Sequence, residues 1–320
     1  MKKENIHNKE SSETTRKTTL HSEGKLFNFE AFYNRNLYGQ PSQFFLEWFI
    51  GFFEEDGTYL KTTRRGKRKH PTFETALSIG QKEKRVLLFI QKTFGFGHIS
   101  SFTKNGQIYW RWNVYAQKNI ELLAHLFAGN LVLSARQTKF CEWILFGKKF
   151  GRFQDLDFSG FVSENKHLKA QCDFISLNNA WLSGFTDAEG CFYAKTRPSK
   201  SDLSKIRIEQ KWLLIQKDNS GHDKYVFEHI LNLFQSKSKV RVFSRQHTTK
   251  STYIEASIGS ILSQKIVVRY FLAYPLQTKK QKAFMKWYQL YLYRTNALTS
   301  NCSDKQLIIQ MKKLVQTLNG

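Results

Sequence analysis

Apolar positions along the chain follow two periods that alternate in a fixed order and then start again. Phe44, Phe45, Leu46, Trp48, Phe49, Ile50, Phe52 and Phe53 put apolar groups on nearly every side of a helix beginning after Ser42. A helix that is apolar all round is buried all round. VLLFIQKTFG at 86–95 keeps helical spacing, and IYWRWNVYA at 108–116 alternates as strands do. IELLAHLFAG near 120 and RQTKFCEWILF return to helical spacing. The same order recurs in WLSGFTDAEG at 181–190, YVFEHILNLF at 225–234, KVRVFSRQ with STYIEASI, LSQKIVVRYFLAY near 262 and TKKQKAFMKWYQLYLY. Trp48 and Trp181 lie 133 residues apart, as do Asp56 and Glu189. That period is too long for a solenoid and suits a duplicated domain.

The pattern predicts an α+β fold: two pseudo-symmetric αββαββα-like copies of a helix and antiparallel-sheet unit, packed through their first helices. Residues 41–150 form the first repeat and 178–320 the second, with C-terminal helices. Residues 151–177, weakly periodic, read as a linker. Residues 1–40 read as a disordered basic arm. Their lack of an apolar core segment argues against a secretion signal.

Both first helices end on acids. Glu54, Glu55 and Asp56 close one, and Asp187 and Glu189 close the other, at the end where the helix dipole is already negative. Gly51 and Gly184 sit in mid-helix, at a cost of about 1 kcal/mol each relative to Ala, which two closely approaching backbones would explain. Gly57 and Gly190 suit left-handed C-terminal caps. Ser42, and Asn178 with Asn179, supply start signals. A pseudo-dyad between the helices brings Asp56 and Glu189 together. Two carboxylates at two negative helix ends call for a cation, and all-oxygen ligands favour Mg2+ or Ca2+ over zinc.

Charge adds a partner. Fifty Lys and Arg against 26 Asp and Glu leave +24, which a polyanion would neutralise. No apolar stretch approaches 18 residues, so no membrane span is expected. The four cysteines have no zinc-ligand spacing and read as reduced thiols. YLKTTRRGKRKH at 59–70 supplies Lys61, Arg64, Arg65, Lys67, Arg68 and Lys69. TRPSKSDLSKIR at 196–207 supplies Arg197, Lys200, Lys205 and Arg207. These are candidate cations for a polyanion, nucleic acid or an anionic membrane surface; on a nucleic acid most contacts are expected on phosphate, and if the partner is DNA, alternate residues of an antiparallel ribbon would face the bases in the major groove. The aromatics read as core. Abundant Phe and Lys with four Pro fit an AT-rich, organellar coding sequence.

FIGFFEEDG at 49–57 and LSGFTDAEG at 182–190 resemble the nine-letter motif of the LAGLIDADG homing endonucleases, in their single-chain, two-motif form. The resemblance covers about residues 43–300. It implies a DNA-binding saddle and an essential, metal-binding acid at the eighth letter of each motif, Asp56 and Glu189. It also implies catalytic roles for Gln81 and Gln216, with Gln210 a rival for the second, for Arg85, and for Lys280 in PLQTKKQK; the first repeat offers Arg136 or Lys139. Ala188 replaces a second acid in repeat two, which argues against Glu55 as a required ligand; Glu54 and Asp187 also precede the terminal acids. The implied function is a metal-dependent double-strand break with 3′ overhangs, made by phosphodiester hydrolysis in a long, weakly palindromic double-stranded DNA target. The implied enzyme is a monomer using Mg2+, with Ca2+ expected to occupy the site without supporting cleavage. The alternative on the same scaffold is an RNA maturase that binds its host intron; intact acids in both motifs favour the nuclease. An intron-encoded protein of a mitochondrion or chloroplast is expected.

Overall fold

In this computed structural model the described residues are 25–64, 72–156, 171–198, 206–218, 221, 223–244, 251–299 and 305–318. A short helix α1 (Glu30–Tyr33) leads to α2 (Gln43–Asp56), β1 (Gly57–Arg64), β2 (Thr72–Gln81), α3 (Lys84–Phe94), β3 (His98–Lys104), β4 (Gln107–Val114), α4 (Gln117–Phe127) and α5 (Ser134–Lys148). After a 3-10 turn at Cys172–Phe174 come α6 (Trp181–Glu189), β5 (Gly190–Pro198), β6 (Ile206–Lys217), α7 (Lys224–Leu233), β7 (Arg241–Ser244), β8 (Thr252–Ile258), α8 (Ile261–Ala273), α9 (Lys280–Thr299) and α10 (Lys305–Leu318). The alternation of periods thus gives the expected α+β duplication. The two antiparallel sheets have matching orders, β1-β2-β4-β3 and β5-β6-β8-β7.

Alternation sets which face each sheet buries. In β5 the residues Gly190, Phe192 and Ala194 are buried while Cys191, Lys195 and Arg197 are exposed. Phe192 packs edge-on against Phe271 of α8 and Trp287 of α9. In the first sheet Leu77, Ile79 and Trp112 point to the helices, and Trp112 meets Phe49 of α2 and Phe94 of α3. One apolar core runs through both repeats, and α10 closes a smaller one of Met311 and Val315 on Ala194 and Leu290.

The repeats join through α2 and α6. Ser42 caps α2 as expected, accepting the Phe45 amide at 3.2 Å. A Cβ on Gly51 would stand 2.1 Å from the carbonyl oxygen of Trp181, and one on Gly184 would stand 1.8 Å from that of Trp48. Both glycines are therefore required by backbone contact across the pseudo-dyad. Glu47 of α2 reaches over to accept the Ala180 amide at 2.9 Å, capping α6 from the other repeat. A carboxylate suits a helix N-terminus.

Three expectations need correction. The predicted arm over 1–40 is folded from residue 25, because Phe27, Phe29 and Phe32 are buried in the main core; residues 1–24 lie outside the described residues. The predicted linker over 151–177 is anchored at both ends, by Phe153 with Leu156 and by Phe174 with Ile175; 157–170 lie outside the described residues. Gly57 and Gly190 are not left-handed caps: their φ values are −76° and −79°, and each starts a strand directly. What excludes a side chain is closeness, since a Cβ would meet Phe53 O at 2.4 Å and Thr186 Cγ2 at 2.4 Å. Among the described residues no helix is long and apolar enough to cross a membrane, and Cys141, Cys172 and Cys191 are free thiols.

Candidate active site

Asp56 and Glu189 are the last residues of α2 and α6, the two helices that touch through their glycines. Asp56 is half-buried and its carboxyl is pushed up to about 6, first by burial and then by the Glu189 charge. The mutual repulsion expected of two helix tips is therefore present.

Register decides which glutamines flank them. Gly57 pairs with Ile79 and Gly190 with Leu214, so Gln81 and Gln216 stand at equivalent positions two residues further along. Gln81 donates from Nε2 to Asp56 Oδ2. Gln216 Oε1 is buried without a hydrogen-bond partner among the described residues. Gln210, the rival, is occupied within the second repeat: it donates to Trp287 O at 2.6 Å and accepts from Arg294 at 3.0 Å.

The cations come from the helices that follow each sheet. Lys280, first residue of α9, donates to Thr186 O at 3.1 Å and Ala188 O at 2.7 Å, the C-terminal carbonyls of α6. Burial lowers its pKa, and Asp187, Glu189 and Asp56 oppose that shift. In the first repeat Arg136 of α5 takes the matching place, donating to Gly57 O at 2.8 Å and to Glu55 O. Sequence spacing left Arg136 and Lys139 level; these carbonyls single out Arg136, while Lys139 is exposed one turn on. Arg85 is exposed on the second residue of α3, and the cations acting most on Asp56 are Lys280 and Arg136. A lysine or arginine at a helix C-terminus offsets its negative end.

The remaining acids differ. Glu54 is fully buried and accepts the amides of Val132 at 2.8 Å and Leu133 at 2.7 Å. Asp187 accepts the amides of Gln277 at 2.6 Å and Thr278 at 3.2 Å. Both therefore fix the backbone that leads into α5 and α9. Burial pushes the Glu55 carboxyl well above its ordinary range, and Glu55 Oε1, near Asp56 and Glu189, is buried without a partner among the described residues. Among the described residues no three His, Cys, Asp or Glu groups converge to hold a metal alone. Two mutually repelling carboxylates, Asp56 and Glu189, still fit a hard divalent ion whose remaining ligands come from outside the chain.

The face of each sheet away from the helices carries charge and aromatic groups. Arg197 and Arg207 stand opposite one another in register, and Glu209 bridges Arg197 at 2.7 Å and Lys211 at 2.6 Å. These bonds hold the Glu209 carboxyl down at about 2. Lys61, expected on this face, shares the helix-packed side with Tyr59 and pairs with Glu142 of α5 at 3.3 Å. Arg64 lies in β1 paired with Thr72. Arg65, Lys67, Arg68, Lys69, Lys200 and Lys205 lie outside the described residues. Reading the aromatics as core missed two stacked pairs, Phe102 with Tyr109 and Phe243 with Tyr253. Arg111 lies 4.4 Å over Phe102, and Arg241 lies 4.6 Å over Phe243. Period-2 alternation, which puts Phe102 on the opposite side from the buried positions, was the available signal.

The LAGLIDADG endonuclease family profile matches residues 49–146 and 182–291. The probable intron-encoded endonuclease 4 of Neurospora crassa is 30% identical over 250 residues, covering 76% of this chain and 39% of that protein; the chain thus spans about two-fifths of that relative's length. The fold is similar to that of the I-SmaMI LAGLIDADG homing endonuclease bound to cleaved DNA, with a TM-score of 0.65 at 15% identity, over 87% of this chain and 97% of that one. I-SmaMI bound to an uncleaved DNA target in the presence of calcium ions gives a TM-score of 0.64 at 14% identity, over 86% and 98%. With both of its repeats matched by the family profile, each ending its first helix on an acid, the chain belongs to the LAGLIDADG endonuclease family.

Proposed function

We propose that the chain is a monomeric, sequence-specific DNA endonuclease that hydrolyses one phosphodiester in each strand and leaves 3′ overhangs. The observation that carries this reading is the pairing of two motif-helix tips, with Asp56 and Glu189 acting on one another and a cation docked behind each. Asp56 and Glu189 would hold Mg2+, and Ca2+ would bind there without supporting hydrolysis. The structure of I-SmaMI bound to an uncleaved DNA target in the presence of calcium ions supports that distinction. A bound divalent ion supplies an acidified water and neutralises charge on phosphoryl oxygens.

The chain's own groups do the rest. Gln81 fixes the orientation of the Asp56 carboxylate, and an amide, being no base, orients water instead of taking its proton. Gln216 holds the equivalent place. Lys280 uses two of its three N–H donors on carbonyls. The third is left for a non-bridging phosphate oxygen, where preplaced positive charge favours the transition state. Arg136 serves the first repeat in the same way. Arg197 and Arg207 contact phosphate, with Arg64 and the basic stretches at 65–69 and 200–205. An intron of an organellar gene is the proposed coding context; the name of the Neurospora relative supports the intron, and the abundant Phe and Lys with four Pro support the organelle. The maturase alternative gives neither terminal acid a task.

The test uses a plasmid carrying the intronless junction of the host gene. With Mg2+ the chain should linearise it and leave 3′ overhangs. With Ca2+ it should bind without cutting. Asp56→Asn and Glu189→Gln should each reduce linearisation at least about 10²-fold while binding in Ca2+ persists. Unchanged cutting by either variant would reject the assignment.

A further inference from the structure

Four motif residues form a crossed pair of hydrogen bonds that holds neither metal nor DNA. Trp48 of α2 donates its indole N–H to Asp187 Oδ2 of α6 at 2.8 Å. Trp181 of α6 donates to Glu54 Oε2 of α2 at 2.6 Å. In each motif the Trp stands eight residues before the terminal acid and the acceptor two residues before it, so the bonds are pseudo-dyad mates. The surroundings match as well: Trp48 stacks on Phe52 and Trp181 on Phe185, each with ring centroids 4.9 Å apart. Both indoles and Glu54 are fully buried, and Asp187 is 4% exposed.

Each acceptor also holds the backbone that leads into a cation-bearing helix. Glu54 holds the Val132 and Leu133 amides at the head of α5, which carries Arg136. Asp187 holds the Gln277 and Thr278 amides and the Thr278 hydroxyl ahead of α9, which begins with Lys280. Two chains of contact result. One runs from Trp48 through Asp187 and Thr278 to Lys280, beside Glu189. The other runs from Trp181 through Glu54 and Leu133 to Arg136, beside Asp56.

We infer that Trp48 and Trp181 are positioning residues, each setting the cation of the opposite repeat and thereby one of the two strand scissions. The inference rests on the endonuclease reading. A carboxylate buried in apolar surroundings keeps its orientation only while its oxygens stay bonded. Losing the indole donor takes the Trp181 bond from Glu54 Oε2 and leaves Asp187 Oδ2 with the Gln277 amide, so each carboxylate is held less firmly and the helix start it anchors shifts with it. Lys280 and Arg136 stand on opposite sides of the pseudo-dyad, so each disturbance falls on one half of the site.

Trp48→Phe and Trp181→Phe keep a stacking ring and remove the N–H. Single-turnover cleavage in Mg2+ of a target duplex labelled on both strands gives the two strand rates separately. Trp48→Phe should slow one strand about tenfold more than the other, and Trp181→Phe should bias the opposite strand, since small misplacements of a catalytic group cost up to about 10²-fold. Thr278→Val, which removes the hydroxyl that links Asp187 to the Lys280 amide at 3.1 Å, should shift the strand ratio in the same direction as Trp48→Phe. Thermal unfolding identifies a variant that does not fold, and Thr278→Val, on a half-exposed turn, then carries the test alone. Equal slowing of both strands by every folded variant, or the same bias from both Trp variants, overturns the inference. A wild-type chain that cuts neither strand instead rejects the endonuclease reading, and the inference falls with it.

Discussion

At Gly51 and Gly184 a single methyl group decides whether the two repeats fit. Alanine is the better helix former by about 1 kcal/mol, so propensity alone predicts that Gly51→Ala and Gly184→Ala stabilise the chain. The carbonyl oxygens of Trp181 and Trp48 would then lie 2.1 and 1.8 Å from the new Cβ atoms. Backbone cannot yield as a flexible side chain does, and overpacking costs about 1–3 kcal/mol or more. Both substitutions should therefore lower the urea midpoint. A raised midpoint would mean that the helices are not in contact there. His125 in α4 offers a second residue-scale test. Burial, with Arg35 adding repulsion and Asp155 opposing it, lowers its pKa to about 4 from an ordinary 6.5. The unfolded chain then binds more protons between pH 6.5 and 4, so this group's contribution to stability is present above 6.5 and lost as pH falls through that window. Replacing it by His125→Gln should shrink the drop in Tm between pH 7.5 and 5. An equal drop in both proteins would assign the pH dependence elsewhere.

The two outer hairpins, β3–β4 and β7–β8, make the same use of different residues. The cross-strand pairs Phe102 with Tyr109 and Phe243 with Tyr253 are equivalent by register, since Trp110 faces Gln81 and Ile254 faces Gln216. The arginine over the Phe comes from β4 in one sheet and from β7 in the other. A guanidinium held over a ring is pre-organised for bidentate contact with guanine, worth about 1–3 kcal/mol of discrimination. Arg111→Ala and Arg241→Ala should each relax the preference at one base pair, at matched distances from the target centre. Profiling cleavage of a randomised target library reads this directly, and a uniform loss across positions would assign both arginines to phosphate. Element order and the two terminal acids were legible in the sequence because hydrophobic period and the duplicated motif are local properties. Spacing favours Gln216 over Gln210, and the pairing of Gly190 with Leu214 puts Gln216 at the position equivalent to Gln81. Glu54, Asp187 and Glu47 were visible as acids but not as anchors of backbone amides, because those amides lie 78 to 133 residues away. Arg136 could not be separated from Lys139 for the same reason, and Phe27, Phe29 and Phe32 were masked by polar neighbours.

At the scale of the whole molecule, +24 charges and two acidic helix tips pull in opposite directions on the same polyanion. The like-charged register pair Arg197 and Arg207 is unfavourable in the free chain, and phosphates relieve it. Glu209 already holds Arg197, so binding DNA there exchanges a carboxylate for a phosphate. Asp56 and Glu189 repel any phosphate brought to the pseudo-dyad unless a cation intervenes. Two separable effects on affinity are expected. With Ca2+ present, fluorescence anisotropy on a labelled duplex should show binding falling by about 10³ to 10⁵ between 50 and 200 mM salt, the loss expected for six to ten phosphate contacts. Without divalent ions, Asp56→Asn and Glu189→Gln should bind more tightly than the wild type, because each removes a charge facing the backbone. Their salt slopes should equal that of the wild type, since neither substitution removes a phosphate contact. A tenfold or smaller salt effect would show that the basic excess does not lie on the DNA. Unchanged metal-free affinity in both variants would place the helix tips away from the phosphates.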